Sequence, residues 1–254
     1  MITIGQIYNF INDFAPFENS LSFDNTGLLI GSFETKVKKV LLALDITSEV
    51  IKEAVNYGAN LIITHHPVIF KPIKSLEFED ITSKMIKNNI NALCAHTNLD
   101  IAKEGVNFCL AKKLKLSDLE ILTYEENKPM GLAGYLEKEM KPEAFAKFVK
   151  INLGCLGLRY TVTDKIIKKV GVCSGSGGSF INSAKQKKCD VFVTGEIKHS
   201  DILKANELDV MIVDAGHYKT ENIVLEPLSL KLQKKFKSVE FVLSKKFTDN
   251  IRYM

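Results

Sequence analysis

The sequence predicts an α/β fold of two domains, each a mainly parallel or mixed sheet flanked by helices. Two observations carry this. Short apolar runs alternate with amphipathic stretches almost from end to end, as in the strand–helix–strand units that build parallel sheets. The alternation is interrupted once, at the polar, proline-bearing stretch YEENKPMG, residues 124–131. A chain of 254 residues permits one large domain or two small ones of ~100–200 residues. We read the interruption as a junction, with residues 1–125 and 215–254 forming the first domain and 126–214 the second.

The elements follow in order. In MITIGQIYNFINDFAP, Ile4, Ile7, Ile11 and Phe14 recur at helical spacing. TGLLIGS and KKVLLALDIT read as strands. SEVIKEAVNYG reads as a helix with Ser48 as N-cap and Gly58 as C-cap. NLIITHHP is a strand, SKMIKNN a helix, NALCAHT a strand and EGVNFCLAKKLKL a helix. Beyond the junction come GLAGYL (strand), KPEAFAKFVKINLG (helix), RYTVTD and KKVGVCSG (strands), SFINSAKQKK (helix) and DVFVTGE (strand). HSDILKANEL (helix), VMIVDAG (strand), YKTENIVLEPLSLKLQKKF (helix as far as Pro227) and VEFVLS (strand) complete the chain.

Bulk properties narrow the class. The net charge of +4 comes from lysine, with Arg159 and Arg252 the two arginines. A nucleic-acid reader favours arginine for phosphates and base edges, so nucleic acid is an unlikely partner. The five cysteines are odd in number and show no C-x-x-C pair, which fits neither a disulfide framework nor a thiolate zinc site. Their apolar settings suit a reducing compartment. The N-terminus lacks a basic region and a cleavage site, and no apolar run approaches the ~18 residues of a membrane span. A cytoplasmic protein is expected.

The histidines carry the functional signal. His65 and His66, His96, His199 and His217 each lie at or just past the end of an apolar strand, in LIITHH, ALCAHTNLD, VFVTGEIKH and IVDAGH. Ligands of open α/β sheets bind outside the carboxyl ends of strands, so four strands are expected to bring five histidines to one edge. Any one of them could be a polar residue leaving the core. The adjacent pair is harder to dismiss, because successive strand residues point to opposite faces unless the chain bends, as Pro67 allows. His217 and Glu221 are four apart at a helix start and share one face. The dipole there disfavours imidazolium and leaves the neutral ring a metal needs. With Asp100, the set His65, His66, Asp100, His217 and Glu221 is too large for one zinc site with three protein ligands. It suits two divalent ions per chain, ~3.5–4 Å apart. Donors of N and O fit Zn, Mn, Fe, Co or Ni without choosing among them.

The motifs FDNTGLLIG, ITHHP, AHTNLD, GVCSGSGGS, TGEIKH and GHYKTE, in this order and spanning nearly the whole chain, resemble the GTP cyclohydrolase I type 2 homologue family, also called the Nif-three-like proteins. The resemblance implies a dinuclear metal site in a cleft between two α/β domains and a homohexamer. Carried onto this sequence it makes His65, His66, Asp100, His217 and Glu221 the metal ligands, with Glu221 bridging, and sets His96, Glu196 and His199 along the same cleft. The chain lacks the long middle insertion of some members.

SGSGGS, residues 174–179, joins a strand to a helix. Gly175, Gly177 and Gly178 allow close backbone approach, and a helix start after such a loop can seat a phosphate; a tight turn with no ligand is an equal reading. Glu196, His199 and His96 are the candidate acid–base groups, and Glu196 and His199 could equally hold a ligand ring in its tautomer. Asp24 and Asn25 are read as turn residues. The leading expectation is a metal-dependent hydrolase acting on a nucleotide or phosphorylated small molecule, by ring opening or phosphoester cleavage. The alternative is a metal-binding, metal-delivering or regulatory protein without substantial turnover.

Overall fold

A computed structural model describes all 254 residues, and the chain divides into two compact units. The first is Met1–Lys103 with Val224–Thr248, and the second is Glu104–Ile223 with Asp249–Met254. No helix is long and apolar enough to cross a membrane. All five cysteines are buried thiols outside any disulfide.

In the first unit, α1 (Ile4–Phe14) starts from a capping box in which Thr3 and Gln6 satisfy each other's backbone N–H. β1 (Gly27–Ile30) and β2 (Lys39–Ala43) precede α2 (Ser48–Tyr57). The N-cap of α2 is Thr47 and not Ser48, its side chain accepting from the Val50 N–H, and Gly58 closes the helix in the left-handed conformation as expected. β3 (Leu61–Thr64), α3 (Ile81–Lys87), β4 (Asn91–Cys94) and α4 (Thr97–Ile101) follow. The five-stranded sheet has the order β1-β4-β3-β2-β11, where β11 is Glu240–Leu243. β4, β3, β2 and β11 run parallel and β1 is the antiparallel edge. β3 and β4 are buried at every position, as befits parallel strands covered on both faces. Alternate residues Leu41, Ala43, Ile62 and Ala92 pack with Val50, Ile51 and Ala54 of α2 and Met85 of α3.

The second unit begins with α5 (Val106–Lys113) and β5 (Ser117–Glu125), then β6 (Lys128–Met140), α6 (Pro142–Leu153), β7 (Arg159–Tyr160) and β8 (Ile167–Val172). α7 (Ile181–Gln186), β9 (Val191–Thr194), α8 (His199–Glu207), β10 (Met211–Asp214) and α9 (His217–Glu221) complete it. The six strands lie in the order β5-β6-β8-β9-β10-β7, with β8, β9 and β10 parallel and the other pairings antiparallel. Strand alternation splits the core. Val170, Val172, Val191, Val193 and Val213 pack with α5 and α6 on one face. Phe192 and Ile212 pack with Ile181 and Ala184 of α7 and Ala205 of α8 on the other.

Three expectations are corrected here. The stretch 124–131 is the turn of a hairpin, not a junction. Glu126 and Asn127 both take positive φ, the geometry that matches strand twist in a two-residue loop, and Glu125 pairs with Lys128. Pairing with β6 draws β5 into the second sheet, so the unit begins at Glu104 rather than 126. The return to the first unit lies at 223/224 rather than 214/215, because α9 packs on α5. The helix foreseen from Tyr218 to Pro227 is broken earlier: α9 ends at Glu221, a 3-10 turn covers Asn222–Val224, and α10 (Leu225–Lys235) carries Pro227 in its first turn, where a missing N–H costs nothing.

Candidate metal centre

The histidine-bearing strands belong to two sheets, not one edge. β3 and β4 of the first sheet lead into His65, His66 and His96, while β9 and β10 of the second lead toward His199 and His217.

In the first unit the chain turns out of β3 with the His66 N–H bonded to the Leu44 carbonyl at 2.9 Å. The rings of His65, His66 and His96 then stand with centroids 5.0–5.5 Å apart. Each offers a ring nitrogen, and the three lie within 4.8 Å of one another. His65 is 1% exposed, which decides that it cannot be a casual surface ring. Each Nδ1 is engaged: His65 with the Ala95 carbonyl at 3.0 Å, His66 with Asp45 Oδ1 at 2.9 Å, and His96 with Asp24 Oδ1 at 2.8 Å. A neutral ring that donates from Nδ1 carries its lone pair on Nε2, so these partners set the tautomer a metal requires. Asp100, in α4, places Oδ1 3.6 Å from His65 Nε2.

Asp24 is itself held. Its Oδ2 accepts from the Thr97 N–H at 3.0 Å and from the Thr97 hydroxyl. Burial pushes its pKa up, but the hydrogen bond and charge of His96, together with the Thr97 donors, outweigh this and bring it to about 2. The turn role expected for Asp24 is therefore incomplete, since it orients His96. Asn25 anchors a loop, its Nδ2 donating to the Ile69 carbonyl at 2.6 Å. Sequence reasoning also overlooked Asp45. It sits just past β2 as the histidines sit past their strands, and that position was the available signal.

In the second unit Gly216 precedes α9 at φ +89°, and His217 is the first helical residue. Its Nε2 lies 2.9 Å from Glu221 Oε2 and its Nδ1 3.1 Å from Glu196 Oε1. Glu221 is buried and Glu196 exposed. The loop at 174–179 presses against this group. Gly175 has φ +59°, and a Cβ on it would fall 2.2 Å from Glu221 Oε1, so a side chain cannot be fitted without displacing that carboxylate. The loop's donors point inward: the N–H groups of Ser174, Gly175 and Gly177 bond Asn107, Thr220 and Thr194 at 2.9, 3.1 and 2.9 Å. The Thr220 hydroxyl thus ties Gly175 to α9. Gly178 opens a 3-10 turn over Gly178–Phe180, and α7 has six residues. The phosphate seat expected at Gly175, Gly177 and Gly178 loses two of its donors to threonines, and the loop braces His217 and Glu221 instead.

Each unit gathers its own share of the predicted residues. His65, His66 and His96 come together, with His96 closer to a ligand's position than to the lining role foreseen for it. His217 and Glu221 come together, with Glu196 behind the ring. His199 stands exposed at the first residue of α8 and joins neither group.

The family model Duf34/NIF3 (NGG1p interacting factor 3) matches residues 2–250. A "GTP cyclohydrolase 1 type 2 homolog" of Clostridium perfringens is 35% identical over 260 aligned residues, covering 99% of each chain. A second protein of that name, from Clostridium acetobutylicum, is 35% identical, covering 91% of this chain and 90% of its own. Among solved structures, a Bacillus cereus protein related to NIF3 superposes with a TM-score of 0.94 at 27% identity, over 100% of both chains.

Proposed function

Because the chain belongs to the Duf34/NIF3 family, we propose that it is a divalent-metal-dependent, hydrolase-like protein acting on a nucleotide or phosphorylated small molecule. One observation carries this reading: three imidazoles converge with each Nδ1 already engaged by a carbonyl or carboxylate. Metal-binding histidines have this support. A core histidine needs no such company.

The donor set fits a metal. It is nitrogen and oxygen, hard enough for Zn, Mn, Fe, Co or Ni and free of thiolate. The reading assigns two ions per chain, with His65, His66, Asp100, His217 and Glu221 as ligands and His96 as a further imidazole beside the first two. Such ions would supply Lewis acidity and a water acidified toward ~7, able to attack a ring carbon or a phosphorus. The chain's own groups do the rest. Asp45 and Asp24 hold His66 and His96 in one tautomer, and the Ala95 carbonyl does so for His65. Glu196, exposed and 3.1 Å from His217 Nδ1, is placed to orient that ring or to relay a proton from it. We assign the protein to the cytoplasm, which suits five buried thiols, and to a homohexamer, on the family resemblance.

The test is metal content per chain by mass spectrometry, on protein purified without a metal-affinity tag. Wild type is compared with His66→Ala and Glu221→Ala. About two metals per wild-type chain, with losses in both variants, is the expected result. No metal after reconstitution with Zn, Mn or Fe overturns the assignment.

A further inference from the structure

Beside the histidine cluster of the first unit, two phenyl rings stand in water where the fold gives them no cover. Phe23 is 57% and Phe70 45% exposed. Their ring centroids are 6.2 Å apart at 56°, so the two rings meet at a tilt and are not stacked on each other.

Neither ring is adrift on a loose loop. Phe23 lies between two anchored residues. Leu21 is buried and takes the Thr97 hydroxyl on its N–H at 3.0 Å. Asp24 is fixed to His96 and Thr97, and its N–H closes a turn onto the Leu21 carbonyl at 3.0 Å. A four-residue turn with both ends held inward pushes its third residue out. Phe70 follows His66 by four residues, and the carbonyl before it, that of Ile69, is pinned by Asn25. The residues that expose the rings are thus the ones that orient the histidines, or their immediate neighbours. Such anchoring argues for a rigid surface rather than a frayed one.

We propose that Phe23 and Phe70 form an aromatic platform that stacks a planar heteroaromatic ring, so that the substrate is base-bearing and not merely phosphorylated. This rests on the metal-site reading above and selects within its substrate class. Open aromatic faces beside a polar site recognise a base by stacking, whichever base it is. Lys71 and Lys74 follow on the same exposed loop and supply positive charge for a phosphate chain.

The chain contains no tryptophan, so Phe23→Trp provides a single indole reporter at the platform. Metal-loaded protein is titrated with GTP, guanosine and ribose 5-phosphate. Saturable quenching by GTP and guanosine but not by ribose 5-phosphate is expected. Phe70→Ala is expected to weaken GTP binding, followed by equilibrium dialysis, about 10-fold or more, with Phe70→Leu between it and wild type. Metal content is measured in every variant and is expected to match wild type, which separates a failed platform from a failed metal site. Unquenched indole with GTP still bound, or no purine binding to metal-loaded wild type, overturns the platform while leaving the metal assignment standing. Self-association of wild type that Phe23→Ala and Phe70→Ala abolish overturns it too, and makes this face a contact between copies.

Discussion

The two histidine groups are built on different terms. In the first unit, three rings cluster, and each is steadied from behind by its own acceptor: a main-chain carbonyl, Asp45 and Asp24. In the second, a single ring lies between two carboxylates, Glu221 and Glu196, and a glycine loop presses on it from the side. The first is nitrogen-rich, with two carboxylates behind the rings and Asp100 in front of His65. The second is oxygen-rich and carries its charge at the donor atoms. The lesson is that one family of strand-end histidines can serve either as a set of neutral donors or as the hinge of a carboxylate pair.

Variants can break that contrast. The largest effect is expected from His65→Ala, since the buried ring has both an acceptor behind it and Asp100 before it. Retention of metal through dialysis falls to background at the first group, while His199→Ala retains the wild-type amount. Equal retention in the two variants erases the distinction between the clustered histidines and the exposed one. Next come Asp45→Asn and Asp24→Asn, which keep shape but remove the charged acceptor. Each weakens metal affinity by about 10–100-fold, read by competition with a chelator. Wild-type affinity in both means the rings need no orienting partner.

A smaller effect belongs to the second group. Gly175→Ala puts a methyl where Glu221 Oε1 now lies and strains a positive φ. Stability falls by about 1–3 kcal/mol, seen as a lower Tm of the metal-free protein. An unaltered Tm means the loop yields easily and does not brace α9. The smallest effect is in pH. Because the folded Asp24 carboxyl is held down to about 2, its contribution to stability is complete above the ordinary carboxylate range and is lost as pH falls toward that value. Urea midpoints of metal-free protein between about pH 5 and about pH 2 decline more steeply in wild type than in Asp24→Asn; parallel curves remove Asp24 as a contributor.

The buried parallel strands were plain in the sequence because VLLA, LIIT, VFVT and MIVD are continuous apolar runs, broken only by the last residue of the latter three, and burial on both faces favours such runs. β5 was hidden: SDLEILTYE is an edge strand with mostly exposed or half-exposed positions, so neither a continuous run nor a clean alternation marks it. Its omission moved the unit boundary. The histidine positions were legible because strand ends are local. Their partners were not, since Asp24 lies 72 residues from His96 and Asp45 21 from His66, a separation that folding closes and composition cannot. The grouping of His96 with His65 and His66 likewise required β3 and β4 to be neighbours in register.

That register has one more consequence. The His65 ring is tied to the adjoining strand through main chain: it meets the Ala95 carbonyl, and the Ala95 N–H returns to the Thr64 carbonyl at 2.9 Å, while the Cys94 thiol donates to the His65 carbonyl at 3.0 Å. No side-chain replacement at Ala95 deletes that carbonyl, so the tie is robust to mutational drift where Asp24 and Asp45 are not. It also couples two clocks. When the seam between β3 and β4 opens far enough to exchange the Ala95 amide with solvent, the ring loses its anchor in the same event, so under the proposed metal site deuterium uptake at that amide and escape of the ion are expected to share a rate.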